Sequence, residues 1–227
     1  IRVDYRDMAY MGFVAVLQNL GKVKRNFEIA KEALLQEQPN VLILIDYPSF
    51  NLKLAKFGKK HLQQTKIIYY IPPKIWAWKE WRVHQIAQYC NDILAIFPFE
   101  PAFYAKHGYK CTYVGNPTAD SIGDYKAKRK EGYEEKRHEN TIAILPGSRL
   151  SEIRKCLPTM LAAARQVAKG QCRIVVTAAP GVDNAFYAPY LQGEDLTRDT
   201  YSLLETAQAA IVNSGTATLE TALIGCP

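Results

Sequence analysis

The segment Thr141–Arg149, TIAILPGSR, carries the residues of this chain best suited to chemistry. An apolar, β-branched run ends in Pro-Gly-Ser-Arg before a helical pattern, which predicts a buried strand, a tight turn and a helix N-terminus. In an α/β sheet such turns lie at the carboxyl edge, where ligands bind. Gly147 lets a ligand approach the backbone, the amides around Ser148 point outward, and Arg149 offers a cationic fork for phosphate. An ordinary βα turn with a surface arginine would contain the same residues.

A second turn of this kind follows the predicted strand Ala209–Val212. Ser214, Gly215 and Thr216 open the next helix, where hydroxyls and amides can hold a diphosphate at the positive end of the helix dipole. Glu220 lies one turn further on the face of Thr216, where a carboxylate can accept hydrogen bonds from both ribose hydroxyls. The alternative is a surface glutamate on a helix capped by Ser214. Together the two turns predict a nucleotide-diphosphate site.

The two turns and the charge balance narrow the ligand class. Neither turn has GxGxxG or GxxxxGK(S/T), which disfavours an NAD-type dehydrogenase and a P-loop NTPase and leaves a nucleotide sugar. A formal net charge of +7 suits an anionic partner without choosing among nucleic acid, anionic lipid and nucleotide. The basic residues are scattered, so we expect no nucleic-acid partner.

The first half of the chain offers one candidate base. The predicted strand Val41–Asp46 ends in an aspartate, which at the carboxyl end of a buried strand can deprotonate a hydroxyl nucleophile. A turn-forming aspartate before Pro48 is the alternative.

All three tryptophans lie in Pro72–Arg82, PPKIWAWKEWR, among basic residues. Tryptophan beside lysine or arginine can stack on a sugar or lie at a membrane interface, and it can equally pack in a core. We assign Trp78 to the core and Trp76 to a functional surface.

The pattern of elements predicts a doubly wound α/β fold. Near-continuous apolar runs predict seven parallel strands: Val41–Asp46, Lys66–Ile71, Ile93–Phe97, Cys111–Val114, Thr141–Leu145, Arg173–Ala178 and Ala209–Val212. Helical patterns alternate with them: Met8–Gln38, Leu52–Gln63, Trp78–Tyr89, Pro101–Lys106, Ser151–Lys169 and Thr216–Ile224.

A charged run, Asp124–Asn140, has no amphipathic stripe and predicts a linker or exposed loop. We therefore expect two Rossmann-like domains, 1–123 and 141–227, facing a cleft. Five widely spaced cysteines without a CxxC pair favour reduced thiols, and four dispersed histidines disfavour a metal site. The start at Ile1 and the end at Pro227 suggest that elements are missing on both sides.

Six segments, in order along nearly the whole chain, resemble the lipid-A-disaccharide synthase family. They are IDYPSFN (Ile45–Asn51), PPKIWAW (Pro72–Trp78), FPFEPAFY (Phe97–Tyr104), YVGNPTAD (Tyr113–Asp120), LPGSR with Glu152, and NSGTATLE (Asn213–Glu220). The family usually has a second acid where this chain has Ser49. The family's glycine-rich first strand would precede Ile1, and a donor-holding glutamine/asparagine motif would follow Pro227, so both domains are expected to be incomplete.

The resemblance implies a GT-B glycosyltransferase of lipid A biosynthesis. Such an enzyme transfers diacylglucosamine from UDP-2,3-diacylglucosamine to 2,3-diacylglucosamine 1-phosphate, with inversion and without a metal or other cofactor. The products are a β-1,6-linked disaccharide 1-phosphate and UDP. By the same resemblance, Asp46 falls on the family's proposed catalytic aspartate and Arg149 on its essential arginine.

The resemblance also implies a membrane location. MAYMGFVAVLQNL, Met8–Leu20, is too short to span a bilayer and matches the family's membrane-docking helix. Without the resemblance, the residues favour a helix buried in the core. We expect a cytoplasmic protein, peripheral on the inner face of the cytoplasmic membrane, with acylated glucosamine substrates and a homodimer left open. The residues predicted to face membrane or acyl chains are Met8, Met11, Phe13, Val14, Leu17 and Trp76. The alternative is another UDP-sugar GT-B enzyme, either a lipid-linked glycosyltransferase or a UDP-sugar epimerase.

Overall fold

The computed structural model describes residues 20–128 and 138–227. The chain divides into two compact units, Ile1–Gly115 and Asn116–Pro227. Within the described residues, each unit contains one four-stranded sheet whose strand pairs are all parallel. The predicted α/β fold class with two parallel-sheet units is therefore confirmed.

The first unit has the strand order β1-β2-β3-β4. Its strands are β1 (Val41–Ile45), β2 (Lys66–Tyr70), β3 (Asp92–Ala95) and β4 (Thr112–Tyr113). Its helices are α1 (Leu20–Glu37), α2 (Pro48–His61), α3 (Arg82–Tyr89) and α4 (Glu100–Lys106). The register of β1 and β2 pairs Leu44 with Tyr69, and both side chains are buried in the core of this unit.

The second unit has the strand order β7-β6-β5-β8. Its strands are β5 (His138–Leu145), β6 (Arg173–Thr177), β7 (Asp195–Thr197) and β8 (Ala207–Val212). Its helices are α5 (Pro117–Ala127), α6 (Leu150–Ala168), α7 (Thr200–Thr206) and α8 (Thr216–Ile224), with a 3₁₀ turn at Asn184–Phe186.

Strand β5 is buried on both faces, which explains its continuous apolar run. Ile142 and Ile144 pack into a core with α6, whereas Ala143 and Leu145 pack into a second core with α7 and α8. Alternating side chains on a strand point to opposite faces, so a central strand needs apolar residues at every position. The strand ends at Leu145, and the chain leaves the sheet at Pro146.

The boundary between the units lies earlier than the predicted one at residue 123. Helix α5 occupies the start of the predicted linker 124–140, and β5 begins at His138, before that linker was expected to end. The side chain of Asn116 accepts a hydrogen bond from the Thr118 N–H at 2.9 Å, which caps α5, and Pro117 stands in its first turn. Ile122 is buried in a core of the second unit, which ties α5 to that unit.

All seven predicted strands are present, with ends that differ by a few residues. The apolar pattern does not predict α5, β7 or α7. The three residues of β7, Asp-Leu-Thr, include one apolar side chain, which is too little for a strand signal. The predicted helix at Trp78 begins at Arg82 instead.

Candidate functional site

A cavity of about 300 Å³ lies in the second unit at the carboxyl ends of β5, β6 and β8. Parallel strands end at one edge of a sheet, so the loops that follow them meet there. All the residues predicted for nucleotide binding line this cavity: Gly147, Ser148, Arg149, Ser214, Gly215, Thr216 and Glu220. The structure therefore brings the two predicted turns together, although they are far apart in the sequence.

Gly147 is required by both backbone conformation and space. Its φ of +110° lies in the region that glycine adopts readily. A Cβ at this position would lie 2.8 Å from Asn213 Nδ2 and 2.8 Å from Glu152 Oε2. The backbone N–H of Asn213 donates to the Leu145 carbonyl at 2.9 Å, so the two turns are held against each other at this point.

Glu152 organises the start of α6. Its Oε2 accepts hydrogen bonds from the backbone N–H of Ser148 at 3.3 Å and of Arg149 at 3.4 Å. Its Oε1 accepts from Arg149 Nη1. A glutamate at the third helical position commonly satisfies the first amides in this way. These amides and this guanidinium are also the groups that the sequence assigns to phosphate.

Glu220 is held by a hydrogen bond from Tyr201, whose ring packs against Tyr125. Its Oε1 accepts from the Tyr201 hydroxyl at 3.1 Å, and the rings of Tyr201 and Tyr125 meet edge to face at 5.2 Å. The Tyr125 hydroxyl donates to the buried carboxylate of Glu205 at 3.0 Å. Burial, with the negative charge of Glu220, raises the pKa of Tyr201, which keeps its hydroxyl a donor. Glu220 is therefore an oriented carboxylate at the cavity and not a freely solvated surface residue.

Other lining residues were not predicted. Glu152 and Asn213 fall inside the segments that carry the family resemblance, but nothing in their spacing showed that they would adjoin Gly147. Thr177 comes from β6, where its Oγ1 donates to the Ile144 carbonyl at 3.3 Å. Thr200 and the run 178–180 complete this side of the cavity. A small-residue stretch after an apolar strand is the signal that could have found 178–180.

In the first unit, Asp46 follows β1 in an unusual backbone conformation. Asp46 has φ +46° and Tyr47 has φ +44°, so two successive residues other than glycine are left-handed. Each such residue costs on the order of 1–3 kcal/mol and persists only where surrounding contacts impose the conformation. Residues in sparsely populated conformations cluster at functional sites, which favours a functional role for the exposed Asp46 side chain over an ordinary turn.

Four contacts impose this conformation. The Asp46 N–H donates to the Tyr70 carbonyl at 3.1 Å. The Asp46 carbonyl accepts from the Tyr69 hydroxyl at 2.8 Å and from Asn51 Nδ2 at 2.7 Å. Asn51 Nδ2 also donates to the Ile45 carbonyl at 2.9 Å. Burial and the nearby charge of Asp46 raise the pKa of Tyr69, so its hydroxyl remains a donor.

The tryptophan segment lies largely on the surface. The prediction that Trp78 packs in the core is wrong, because its side chain is 64% exposed. The residues before Arg82 form turns instead of the predicted helix, so Trp78 has no core-facing helical position. Its ring packs against its own neighbour instead, with Lys79 Nζ 4.0 Å from the ring centroid. Trp81 is 56% exposed, and the guanidinium carbon of Arg82 lies 5.6 Å from its ring centroid.

Trp76 lies at the edge of this surface. Its Nε1 donates to Oε1 of Glu100 at 3.3 Å, and Glu100 is almost completely buried. Its ring meets Phe99 edge to face at 4.9 Å. The pKa of Glu100 is raised by burial, and hydrogen bonds from Phe97 and Trp76 oppose that effect. Trp76 is thus anchored at one edge and partly exposed at the other.

The predicted membrane-docking residues Met8, Met11, Phe13, Val14 and Leu17 lie outside the described residues. Within residues 20–128 and 138–227, no helix has the length and apolar character needed to cross a bilayer. The same ranges contain no cluster of three or more histidine, cysteine, aspartate or glutamate side chains suited to a metal ion. All five cysteines are free thiols.

Solved structures share this fold at low sequence identity. S. aureus MnaA, in a co-structure with UDP, has a TM-score of 0.62 and 12% identity, with 90% of this chain and 61% of that chain covered. UDP-GlcNAc 2-epimerase from Methanocaldococcus jannaschii, in complex with UDP-GlcNAc and UDP, has a TM-score of 0.60 and 11% identity, with coverage of 91% and 64%. These likenesses show the fold alone, which is the predicted GT-B-type α/β fold.

Sequence relatives are much closer. Lipid-A-disaccharide synthase of Trichlorobacter lovleyi is 40% identical, over 99% of this chain and 61% of the relative. The proteins of that name from Geobacter sulfurreducens and Helicobacter pylori are 35% and 38% identical. The chain spans about 60% of the length of these relatives. A sequence profile described as lipid-A-disaccharide synthetase matches residues 2–227. Because this match covers nearly every residue, the chain belongs to the lipid-A-disaccharide synthetase family.

Proposed function

We propose that the chain carries the donor site and the catalytic base of a glycosyltransferase that joins two acylated glucosamines into lipid A disaccharide 1-phosphate. The observation that carries this proposal is the cavity lined by both turns, Arg149 and Glu220, in a chain of this family. The donor is a UDP-linked diacylglucosamine, and the acceptor is a diacylglucosamine 1-phosphate.

The cavity provides groups suited to each part of UDP. Amides and hydroxyls at Ser148 and at Ser214–Thr216 suit the diphosphate, because the N-termini of α6 and α8 carry positive partial charge. Arg149 adds a full positive charge beside the first turn. Glu220, oriented by Tyr201, accepts hydrogen bonds from the ribose hydroxyls.

Asp46 acts on the acceptor. Its carboxylate takes the proton of the 6-hydroxyl as that oxygen attacks the anomeric carbon of the donor, and the bond from that carbon to the UDP oxygen breaks. Attack opposite the leaving group inverts the anomeric centre. The negative charge that develops on UDP is stabilised by the preorganised amides and by Arg149, so we infer that this step needs no metal or other cofactor.

Both substrates carry acyl chains, so we propose that the protein works on the inner face of the cytoplasmic membrane. The exposed rings of Trp78 and Trp81, each with a cation against it, support a membrane-facing surface on the first unit. In this proposal the apolar segment Met8–Leu20 also binds the membrane, and Trp76 lies at the edge of the surface formed by Trp78 and Trp81.

Sedimentation with anionic vesicles tests the membrane surface. In the full-length protein, we expect charged substitutions at Val14 and Leu17, or Trp78→Ser with Trp81→Ser, to weaken vesicle binding. Phe57→Ser, which changes an aromatic residue elsewhere in the first unit, serves as the control. Unchanged binding of both sets of variants would contradict the membrane proposal.

An assay of UDP release with four substrate combinations tests the reaction. Full-length protein is given acylated or non-acylated UDP-glucosamine, with or without acylated glucosamine 1-phosphate. We expect UDP release only when donor and acceptor are both present and both acylated. Conversion of the UDP-sugar without an acceptor would instead indicate an epimerase, and equal use of non-acylated sugars would indicate a different transferase.

A further inference from the structure

Two buried side chains converge on one backbone atom next to the proposed base. The Tyr69 hydroxyl and Asn51 Nδ2 both donate to the carbonyl oxygen of Asp46, at 2.8 Å and 2.7 Å. Tyr69 comes from β2 and is fully buried, and Asn51 comes from α2 and is 9% exposed. Tyr69 is 23 residues from Asp46 in the sequence, whereas Asn51 is five residues from it, so one donor is distant and the other lies on the helix that follows the turn.

The left-handed backbone at Asp46 requires stabilising contacts such as these two hydrogen bonds. Asp46 and Tyr47 are both left-handed, a conformation that a free peptide of these residues would leave for the β or right-handed region. A change of φ or ψ at Asp46 would turn its Cα–Cβ bond relative to β1. Two donors from separate elements hold the Asp46 carbonyl, and the Tyr70 carbonyl accepts from its N–H, so the direction of the Cα–Cβ bond that carries the carboxylate is held from both sides.

We propose that Tyr69 and Asn51 are positioning residues that hold Asp46 in the orientation needed to deprotonate the acceptor. This inference rests on the proposed function, in which Asp46 is the base. Neither residue contacts the reacting atoms in this scheme. Their effect on turnover passes entirely through Asp46, which distinguishes them from residues that only stabilise the first unit.

The chain offers a matched control for Tyr69. Tyr104 is also fully buried in the core of the first unit, and within the described residues its hydroxyl has no hydrogen-bond partner. Tyr69→Phe and Tyr104→Phe therefore remove the same atom from the same core, but only the first removes a donor to Asp46.

A double-mutant cycle in the full-length protein tests the proposal. We expect Tyr69→Phe to lower kcat by about tenfold with the donor KM and the UDP affinity unchanged, because a small misplacement of a catalytic group affects the chemical step. Tyr104→Phe should keep kcat within about twofold, because no donor to Asp46 is lost. In an Asp46→Asn background, Tyr69→Phe should change the residual turnover by less than about threefold, since both changes act through one group.

The outcomes separate this inference from the proposed function. Normal kcat of Tyr69→Phe beside a strongly impaired Asp46→Asn would overturn the positioning role alone. An equal tenfold loss in the Asp46→Asn background would also overturn it, because the effect would then be structural. Normal turnover of Asp46→Asn itself would overturn the base assignment and the positioning with it. If Tyr69→Phe does not fold, Asn51→Ser is measured in its place with the same expected results.

Discussion

The guanidinium of Arg149 donates to the carboxylate of Glu152, three residues further along the chain. The same carboxylate accepts from the amides of Ser148 and Arg149. The groups assigned to the diphosphate are thus already paired with a negative charge belonging to the protein. A bound diphosphate would compete with Glu152 for these donors, which makes the charge of Glu152 a determinant of nucleotide affinity.

We therefore expect Glu152→Gln to bind UDP more tightly. Removing a negative charge from the immediate surroundings of the diphosphate should lower the dissociation constant on the order of threefold to tenfold, or up to about 1.4 kcal/mol. Isothermal titration of the full-length variant with UDP measures this. Glu28→Gln is the matched control, because Glu28 pairs with Lys31 at the same spacing on α1, outside the cavity. Weaker binding by Glu152→Gln would show that Glu152 holds Arg149 in place for the ligand instead of competing with it.

Substitution of Gly147 should destabilise the protein more than substitution of another glycine with a similar φ. Gly147 has φ +110° and Gly193 has φ +113°, but only a Cβ at Gly147 would meet other atoms, at 2.8 Å. We expect Gly193→Ala to lower the free energy of unfolding by about 1 kcal/mol and Gly147→Ala by about 2–4 kcal/mol. Only Gly147→Ala should also weaken UDP binding. Urea denaturation with UDP titration measures both, and equal losses in the two variants would contradict the crowding at Gly147.

One ion pair should make the stability of the second unit depend on acid pH. Glu194 accepts from Arg165 Nε at 2.5 Å, and this hydrogen bond lowers the pKa of Glu194 from its ordinary value of 4.5 to about 2. Because the folded state holds the proton less tightly than the unfolded chain, this stabilisation is complete above pH 4.5 and is lost as the pH falls toward 2. Because Arg165 is partly exposed, solvent screening limits the contribution of this ion pair to the free energy of unfolding to on the order of 1–2 kcal/mol.

The variant Glu194→Gln checks this dependence. Relative to the unmodified protein, it should lose stability at pH 6 and lose little or none near pH 2. Asp195→Asn serves as the comparison, because Asp195 pairs with Arg173 at 2.6 Å with both side chains more than half exposed. That pair should contribute less than about 1 kcal/mol at any pH. An equal loss from Glu194→Gln at both pH values would contradict the assignment.

Much of the fold follows from local patterns in the sequence. The run Ile142–Leu145 is apolar at every position because each side chain enters one of two cores, and such runs identify buried parallel strands. Gly147 follows β5 and Gly215 follows β8, so the place of both turns at the sheet edge could also be predicted. Helix α5 could have been found from Asn116 and Pro117, which form a typical helix start, but the charged residues after it obscured where it ends.

The rest depends on tertiary contacts that no local pattern reports. The short strand β7 is defined by its pairing with β6 and not by its own residues. The exposure of Trp78 depends on where α3 begins, and element boundaries are set partly by packing. The pairing of Glu152 with Arg149, and the two donors on the Asp46 carbonyl, involve backbone directions that residue types alone do not specify.

The most direct test of the central claim is the turnover of the full-length protein and its Asp46→Ala and Arg149→Ala variants on acylated donor and acceptor. The products are identified by mass spectrometry, and UDP is quantified. We expect the unmodified protein to form one disaccharide 1-phosphate per UDP released. Arg149→Ala should be slower by roughly a hundredfold or more, since losing one preorganised donor costs about 3 kcal/mol in the transition state, and Asp46→Ala should be similarly impaired. Near-normal turnover in both variants, or UDP release without disaccharide, would contradict the account.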